Sequence, residues 1–145
     1  MSNPSTTAGR WPELLPVGSV RVTRPSVRYD ETVRFYRDVV GLTVLETFQD
    51  SYGEDGTIFG LPDSSTHLEI VRVGELAGPV SQLDLLVFYL TDAESQQDVI
   101  ARLAARGARP TPEQHRYWQA NGGVTYHDPD GRGVVFASWV YRPDG

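Results

Sequence analysis

The feature that most restricts how this chain can fold is an internal repetition. Gly41 and Gly107 each end an apolar-periodic stretch, and they lie 66 residues apart. The same offset carries the turn at Pro62-Asp63 onto Asp128-Pro129, and Leu68 and Ile70 onto Val134 and Phe136. One offset that matches a helix stop, a turn and the apolar phase of a strand marks a duplicated unit. At 145 residues, the chain holds one domain built from two such halves.

Both halves read in the same order. Val20 to Arg24 alternates and stops at Pro25, as a strand does where proline removes a ladder donor. Asp30 is placed to cap a helix with Val33, Tyr36 and Val40 on one stripe, and Gly41 supplies the left-handed stop. Leu42 to Phe48, Thr57 to Gly60 and His67 to Val73 read as strands, with turns at Gly53 to Gly56 and Leu61 to Asp63. The second half opens on Leu83 to Leu90, apolar at nearly every position and therefore predicted as a strand buried on both faces. Asp92 caps a helix bearing Val99, Ile100 and Leu103, which Gly107 closes. His115 to Trp118, Val124 to His127 and Gly133 to Tyr141 are strand-like, and Asp128-Pro129-Asp130-Gly131 is a turn.

The predicted fold is α+β, a duplicated β-α-β-β-β unit over residues 19–78 and 82–141 of a single domain, residues 19–145, with both sheets curling around a shared concave surface. Residues 1–18 read as a flexible tail able to dock through Trp11, Leu14 and Leu15.

Charge and composition narrow the partners. Thirteen basic residues, all Arg, stand against 19 Asp and Glu for a net charge of -6. Nucleic acid and anionic membrane surfaces are therefore not expected as partners. The absence of Cys removes disulfides, thiol nucleophiles and Cys-ligated metal. No apolar run approaches the ~20 residues of a membrane span, and Met1 to Gly18 lacks the basic and apolar regions of a secretion signal, so a cytoplasmic protein is expected. There is no Gly-rich phosphate loop and no Gly-x-Ser-x-Gly elbow.

Three stretches carry a family resemblance: Val33-Arg34-Phe35-Tyr36-Arg37-Asp38-Val39-Val40-Gly41-Leu42, His67-Leu68-Glu69, and Asp128-Pro129-Asp130-Gly131. Together they resemble the vicinal oxygen chelate superfamily of glyoxalases, extradiol dioxygenases and bleomycin-resistance proteins. The resemblance spans roughly Val20 to Trp139. It implies a cupped, roughly eight-stranded mixed sheet, frequent dimers, and a divalent metal held by the first and last strands of each half.

Carried over one position at a time, the implied ligands depart from the pattern. The last strand of the first half supplies Glu69, and its first strand supplies Arg21, or Arg24 if a bulge precedes Pro25. The second half supplies Leu85 and Val135. A guanidinium has no lone pair to donate, and Leu and Val have no donor atom. One carboxylate falls short of the three protein ligands that catalytic zinc or iron sites use, so no metal and no other cofactor is expected.

The remaining candidates form a binding wall. Strand alternation puts His67 and Glu69 on the face opposite Leu68 and Ile70, the apolar pair that the helix must cover. A His-x-Glu pair could recruit His115 or His127 to a metal, or simply be the wet side of the sheet. Arg24 either pairs structurally with Glu69 or binds an anionic ligand through its forked donors. Leu85, Val87 and Tyr89 form a second apolar face beneath a packing partner or a ligand. His115, Tyr117 and Trp118 form an aromatic patch, read either as core or as a platform for a flat molecule.

The expected function is small-molecule binding by a glyoxalase-like, bleomycin-resistance-like protein, with an aromatic or anionic organic ligand in the cup held by Arg24, His67, Glu69, Tyr89, His115, Tyr117 and Trp118. The alternative is a lyase or isomerase, metal-independent or metal-dependent, with Glu69 as general base and Arg24 or Tyr89 stabilising developing charge. A homodimer is expected from the resemblance and from the doubly apolar strand.

Overall fold

A computed structural model of the chain describes residues 15–62 and 65–143. In chain order its elements are β1 (Val20–Ser26), α1 (Tyr29–Arg34) continuing as a wider π-type segment (Phe35–Val40), β2 (Thr43–Ser51), β3 (Glu54–Gly60) and β4 (Thr66–Arg72). The second half contributes β5 (Leu85–Tyr89), α2 (Ala93–Ala105), α3 (Arg116–Ala120), β6 (Gly123–His127) and β7 (Gly133–Ala137). One sheet has the order β1-β4-β3-β2 and the other β5-β7-β6. Of the expected tail, Trp11 and Leu14 fall outside the described residues, and Leu15 is exposed.

The duplication is visible in the pairing. The first strand of each half lies parallel to the last, placing Val22 beside Leu68 and Leu86 beside Val134. Gly41 and Gly107 both take left-handed backbone at helix ends, with φ of 94° and 86°. The Tyr36 carbonyl accepts the N–H groups of Gly41 and Leu42, and the Leu103 carbonyl accepts that of Ala108, so orphan carbonyls at both stops are satisfied. Leu68, Ile70, Val134 and Phe136 are buried in one core with Tyr36, Val40, Phe59, Leu103 and Tyr126. Each sheet thus turns its helix-side face inward, and its other face is left to form the site.

Several expectations change. Seven strands form among the described residues, in sheets of four and three, where roughly eight were expected. The difference lies at His115 to Trp118, which is helical: His115 Nδ1 accepts the Tyr117 N–H at 3.1 Å and caps α3. A helical turn there swings Trp118 over the second sheet, where a strand would have kept its side chain alternating. β7 ends at Ala137, short of Tyr141. β1 continues through Pro25 to Ser26, which an edge strand tolerates because the missing N–H takes no ladder partner. The strand expected over Leu83 to Leu90 is confined to β5 (Leu85–Tyr89), which is half-exposed and not doubly buried, with Tyr89 40% exposed, and Leu83 lies before it.

Asp30 does not cap α1. It is exposed and pairs with Arg72 at 3.1 Å. The cap comes from Asp130 of the other half, which accepts the backbone N–H groups of Val27 and Arg28 and the hydroxyls of Ser26 and Thr32. Asp92 caps α2 as expected, accepting the Ser95 N–H at 2.8 Å.

Candidate functional site

On the first sheet, strand register builds the open face row by row. Thr23, Glu69, Ile58 and Glu46 stand in one row across β1, β4, β3 and β2. Arg21 and His67 occupy a neighbouring row, and Val71, Gly56 and Phe48 the row on the other side. Glu69 is held from β1: Thr23 Oγ1 donates to its Oε1 at 2.7 Å, and Arg21 Nη1 lies 3.9 Å from Oε2. Only 14% of the Glu69 side chain is exposed. The Phe48 ring lies directly over Gly56, where a Cβ would meet its Cζ at 2.4 Å. His67 borders a cleft of about 500 Å³ with Leu42, Leu45 and Leu61.

Arg24 stands elsewhere. It pairs with Ile70 in the ladder, so it belongs to the core-side face and not to that of Glu69. Its Nη2 meets Asp84 Oδ1 at 3.3 Å, while Arg132 Nε donates to the other oxygen of the same carboxylate at 2.8 Å. Of the two arginines weighed from the sequence, Arg21 is the one beside Glu69. Around Arg24 lies a buried polar seam between the repeats, in which Tyr36 OH donates to Asp128 Oδ2 at 2.7 Å. Burial first, and then the neighbouring Asp128 charge, holds the Tyr36 hydroxyl well above its ordinary pKa. Burial also raises the Asp128 carboxyl, against the hydrogen bond from Tyr36.

On the second sheet the corresponding face is dry. Val135 and Ala137 are fully buried beneath Trp118, with Leu85, Val87 and Trp139 packed around them. Tyr89 joins Trp118, Trp139 and Tyr141 at ring centroid distances of 6.1, 5.2 and 6.1 Å, and Tyr117 stands edge-on to Trp118 at 4.9 Å. Tyr89, Tyr117 and Tyr141 are 40%, 48% and 59% exposed, so the cluster has a buried base and an open rim. Trp139 Nε1 is fixed by the Asn121 carbonyl at 2.7 Å. His115 supports this rim as the cap of α3, which commits its Nδ1 to the Tyr117 N–H.

The candidate residues therefore fall into three groups: His67 with Glu69 on the first sheet, Tyr89, His115, Tyr117 and Trp118 on the second, and Arg24 in the seam between repeats. Among the described residues, no three His, Cys, Asp or Glu side chains are gathered so as to hold a metal ion. Sequence reading missed Thr23, Phe48, Trp139 and Tyr141. The first two depend on cross-strand register, and Trp139 and Tyr141 were assigned to a strand that ends before them.

Comparison with known proteins follows the same division. Residues 20–71 match the YycE-like N-terminal domain, and residues 84–138 match the YycE-like C-terminal domain. The Bacillus subtilis protein YycE is 38% identical over 119 residues, covering 81% of this chain and 85% of the relative. The crystal structure of a Bacillus subtilis YycE protein of unknown function superposes with a TM-score of 0.76 at 32% identity, over 88% of this chain and 93% of that one. The fold is shared with the fosfomycin-resistance protein FosX of Listeria monocytogenes, solved with Mn(II), at TM-score 0.65 and 14% identity over 85% of this chain and 93% of that one. It is also shared with lactoylglutathione lyase of Agrobacterium tumefaciens, at TM-score 0.59 and 21% identity over 83% and 93%.

Proposed function

Because this chain belongs to the YycE-like family, within the vicinal oxygen chelate superfamily, we propose that it binds a small aromatic molecule on its open sheet faces without the metal of its better-known relatives. The observation that carries this reading is the fate of the implied ligand positions. Leu85 and Val135 sit in the dry cluster under Trp118 and Trp139, and Arg21 stands beside the remaining carboxylate. Neither an alkyl group nor a guanidinium can donate a lone pair, so a divalent metal does not fit these residues. The chemistry left is stacking on the exposed rim of Tyr89, Tyr117 and Tyr141 around the buried Trp118, with Glu69 and Thr23 offering polar contacts on the other sheet. An anionic ligand is the less favoured choice, since Arg24 is committed to Asp84.

Native mass spectrometry of protein from its own host tests the reading. The expected result is a stoichiometric organic adduct that quenches tryptophan fluorescence on rebinding. Stoichiometric Ni, Zn, Mn or Fe by elemental analysis overturns it.

A second reading, a metal-independent lyase or isomerase, draws on the placement of Glu69, which is mostly buried yet on an open face. Arg24 drops out as its oxyanion partner, which leaves Tyr89. A Glu69→Gln variant decides between the two: lost turnover with retained affinity supports the base, and unchanged turnover removes it. The half-exposed apolar β5 supports a homodimer, expected as a doubled mass in dilute size-exclusion chromatography. No helix among the described residues is long and apolar enough to cross a membrane.

A further inference from the structure

We infer that the helix side of the first sheet carries a binding site of its own, for a phosphate monoester that also bears free hydroxyl groups. The stretch Arg34-Phe35-Tyr36-Arg37 belongs to the family resemblance, yet neither of its arginines stands on an open sheet face. Both line a cavity of about 320 Å³, together with Arg72 of β4. The cavity exists because the first helix does not extend over the edge strand. Thr57 of β3 is buried and bonds to the Tyr29 hydroxyl at 2.6 Å, whereas its ladder partner Thr47 of β2 is exposed. Thr47 and Gln49 therefore face the helix across open space.

Guanidinium donors are left over on the walls of this cavity. Arg72 is fixed in place: its guanidinium carbon lies 4.5 Å from the Tyr29 ring centroid, its Nη2 donates to Asp30 Oδ1 at 3.1 Å, and its Nε lies 3.4 Å from Asp55 Oδ2. Arg37 forks onto Asp38 through Nε and Nη2, at 2.7 and 2.9 Å. Among the described residues, Nη1 of Arg72 and Nη1 of Arg37 make no hydrogen bond, and Arg34 has neither a hydrogen bond nor an ion pair. Three arginines thus offer donors to the three terminal oxygens of a phosphate, where a carboxylate would present only two. Asp30, Asp38 and Asp55 oppose a bare anion, since they match these arginines in number. A ligand that brings hydroxyl donors with its charge turns the Asp30 and Asp55 carboxylates into acceptors, and meets the Thr47 hydroxyl and Gln49 amide as well.

Titration of the full-length protein with glycerol 3-phosphate, followed by amide NMR at low salt, tests the site. The expected result is saturable shifts at the residues lining the cavity, with a Kd of about 1 mM. Inorganic phosphate and glycerate should each bind about tenfold more weakly, and glycerol should not bind. Arg34→Gln alters an exposed side chain with no partner to lose, so the fold is kept, and it should weaken binding about tenfold. Arg109→Gln, at an exposed arginine away from the cavity, should leave the affinity unchanged. No saturation below about 20 mM, equal binding of inorganic phosphate or glycerate, shifts outside the cavity, or equal losses in the two variants overturns the inference. None of these outcomes bears on the aromatic rim of the second sheet, which the probe does not touch.

Discussion

Asp130 Oδ1 accepts the Arg28 N–H at 3.1 Å, so the first helix of one repeat is capped by a carboxylate from the turn of the other. The same oxygen takes the Val27 N–H, and Oδ2 takes the Ser26 and Thr32 hydroxyls at 2.5 and 3.0 Å. Arg28, at the cap position itself, provides no side-chain acceptor for the helix. The Asp-Pro-Asp-Gly turn is thereby a clamp between the halves.

Asp130→Ala leaves a helix cap and two buried hydroxyls without an acceptor. A lost cap costs about 1 kcal/mol and each buried unsatisfied donor about 1–3. The variant should lose about 3 kcal/mol in urea unfolding. Asp30→Ala, which removes only an exposed pair with Arg72, should leave the midpoint unchanged.

The two aspartates of this turn respond to acid in opposite directions. Burial raises Asp130, but the hydrogen bonds from Ser26, Arg28, Thr32 and Val27 outweigh it, and its pKa is lowered. Its contribution is therefore present above the unfolded carboxylate pKa of about 4 and lost as pH falls through the lower folded value. Asp128 is raised, first by burial, so its contribution is present below that unfolded value and lost as pH rises through the folded one. Unfolding midpoints between about pH 2 and 8 should show wild type gaining on Asp130→Asn as pH rises toward about 4, and losing ground to Asp128→Asn as pH rises above it.

Trp118 is 7% exposed and roofs Val135 and Ala137, both fully buried. Truncating a buried aromatic costs about 3–5 kcal/mol, so Trp118→Ala should fall in that range by chemical denaturation. Tyr117→Ala, at 48% exposure, should cost less than about 1 kcal/mol while weakening binding of an aromatic probe. Equal losses in both would show that the rim is part of the core.

Gly123 faces the same indole. A Cβ there would lie 2.8 Å from Trp118 Cβ, which backbone-near atoms cannot evade. Gly123→Ala should destabilise by about 1–3 kcal/mol, the usual penalty of overpacking, and shift the tryptophan emission spectrum.

Much of the fold was legible because repetition is a one-dimensional signal. The glycine stops, the Asp92 cap and the core phase of Leu68, Ile70, Val134 and Phe136 all follow from local spacing. The His115 to Trp118 segment was misread because its ring-rich composition suits a strand, whereas His115 capping and Trp118 burial make it a helix. Arg21 and Arg24 could not be told apart by alternation alone, since each suits the face that the other leaves.

By itself, the sequence determined that two like units would share one core, and that three of the four implied ligand positions carry no metal donor. Only the tertiary structure decided which arginine meets Glu69, which carboxylate caps α1, and that a tryptophan roofs the second sheet. The reason is physical. Periodicity is set by neighbours a few residues apart along the backbone, whereas these contacts join Arg21 to Glu69, Asp130 to Arg28 and Trp118 to Val135, all far beyond one helical or strand repeat, and exist only once strand register and helix docking have fixed them.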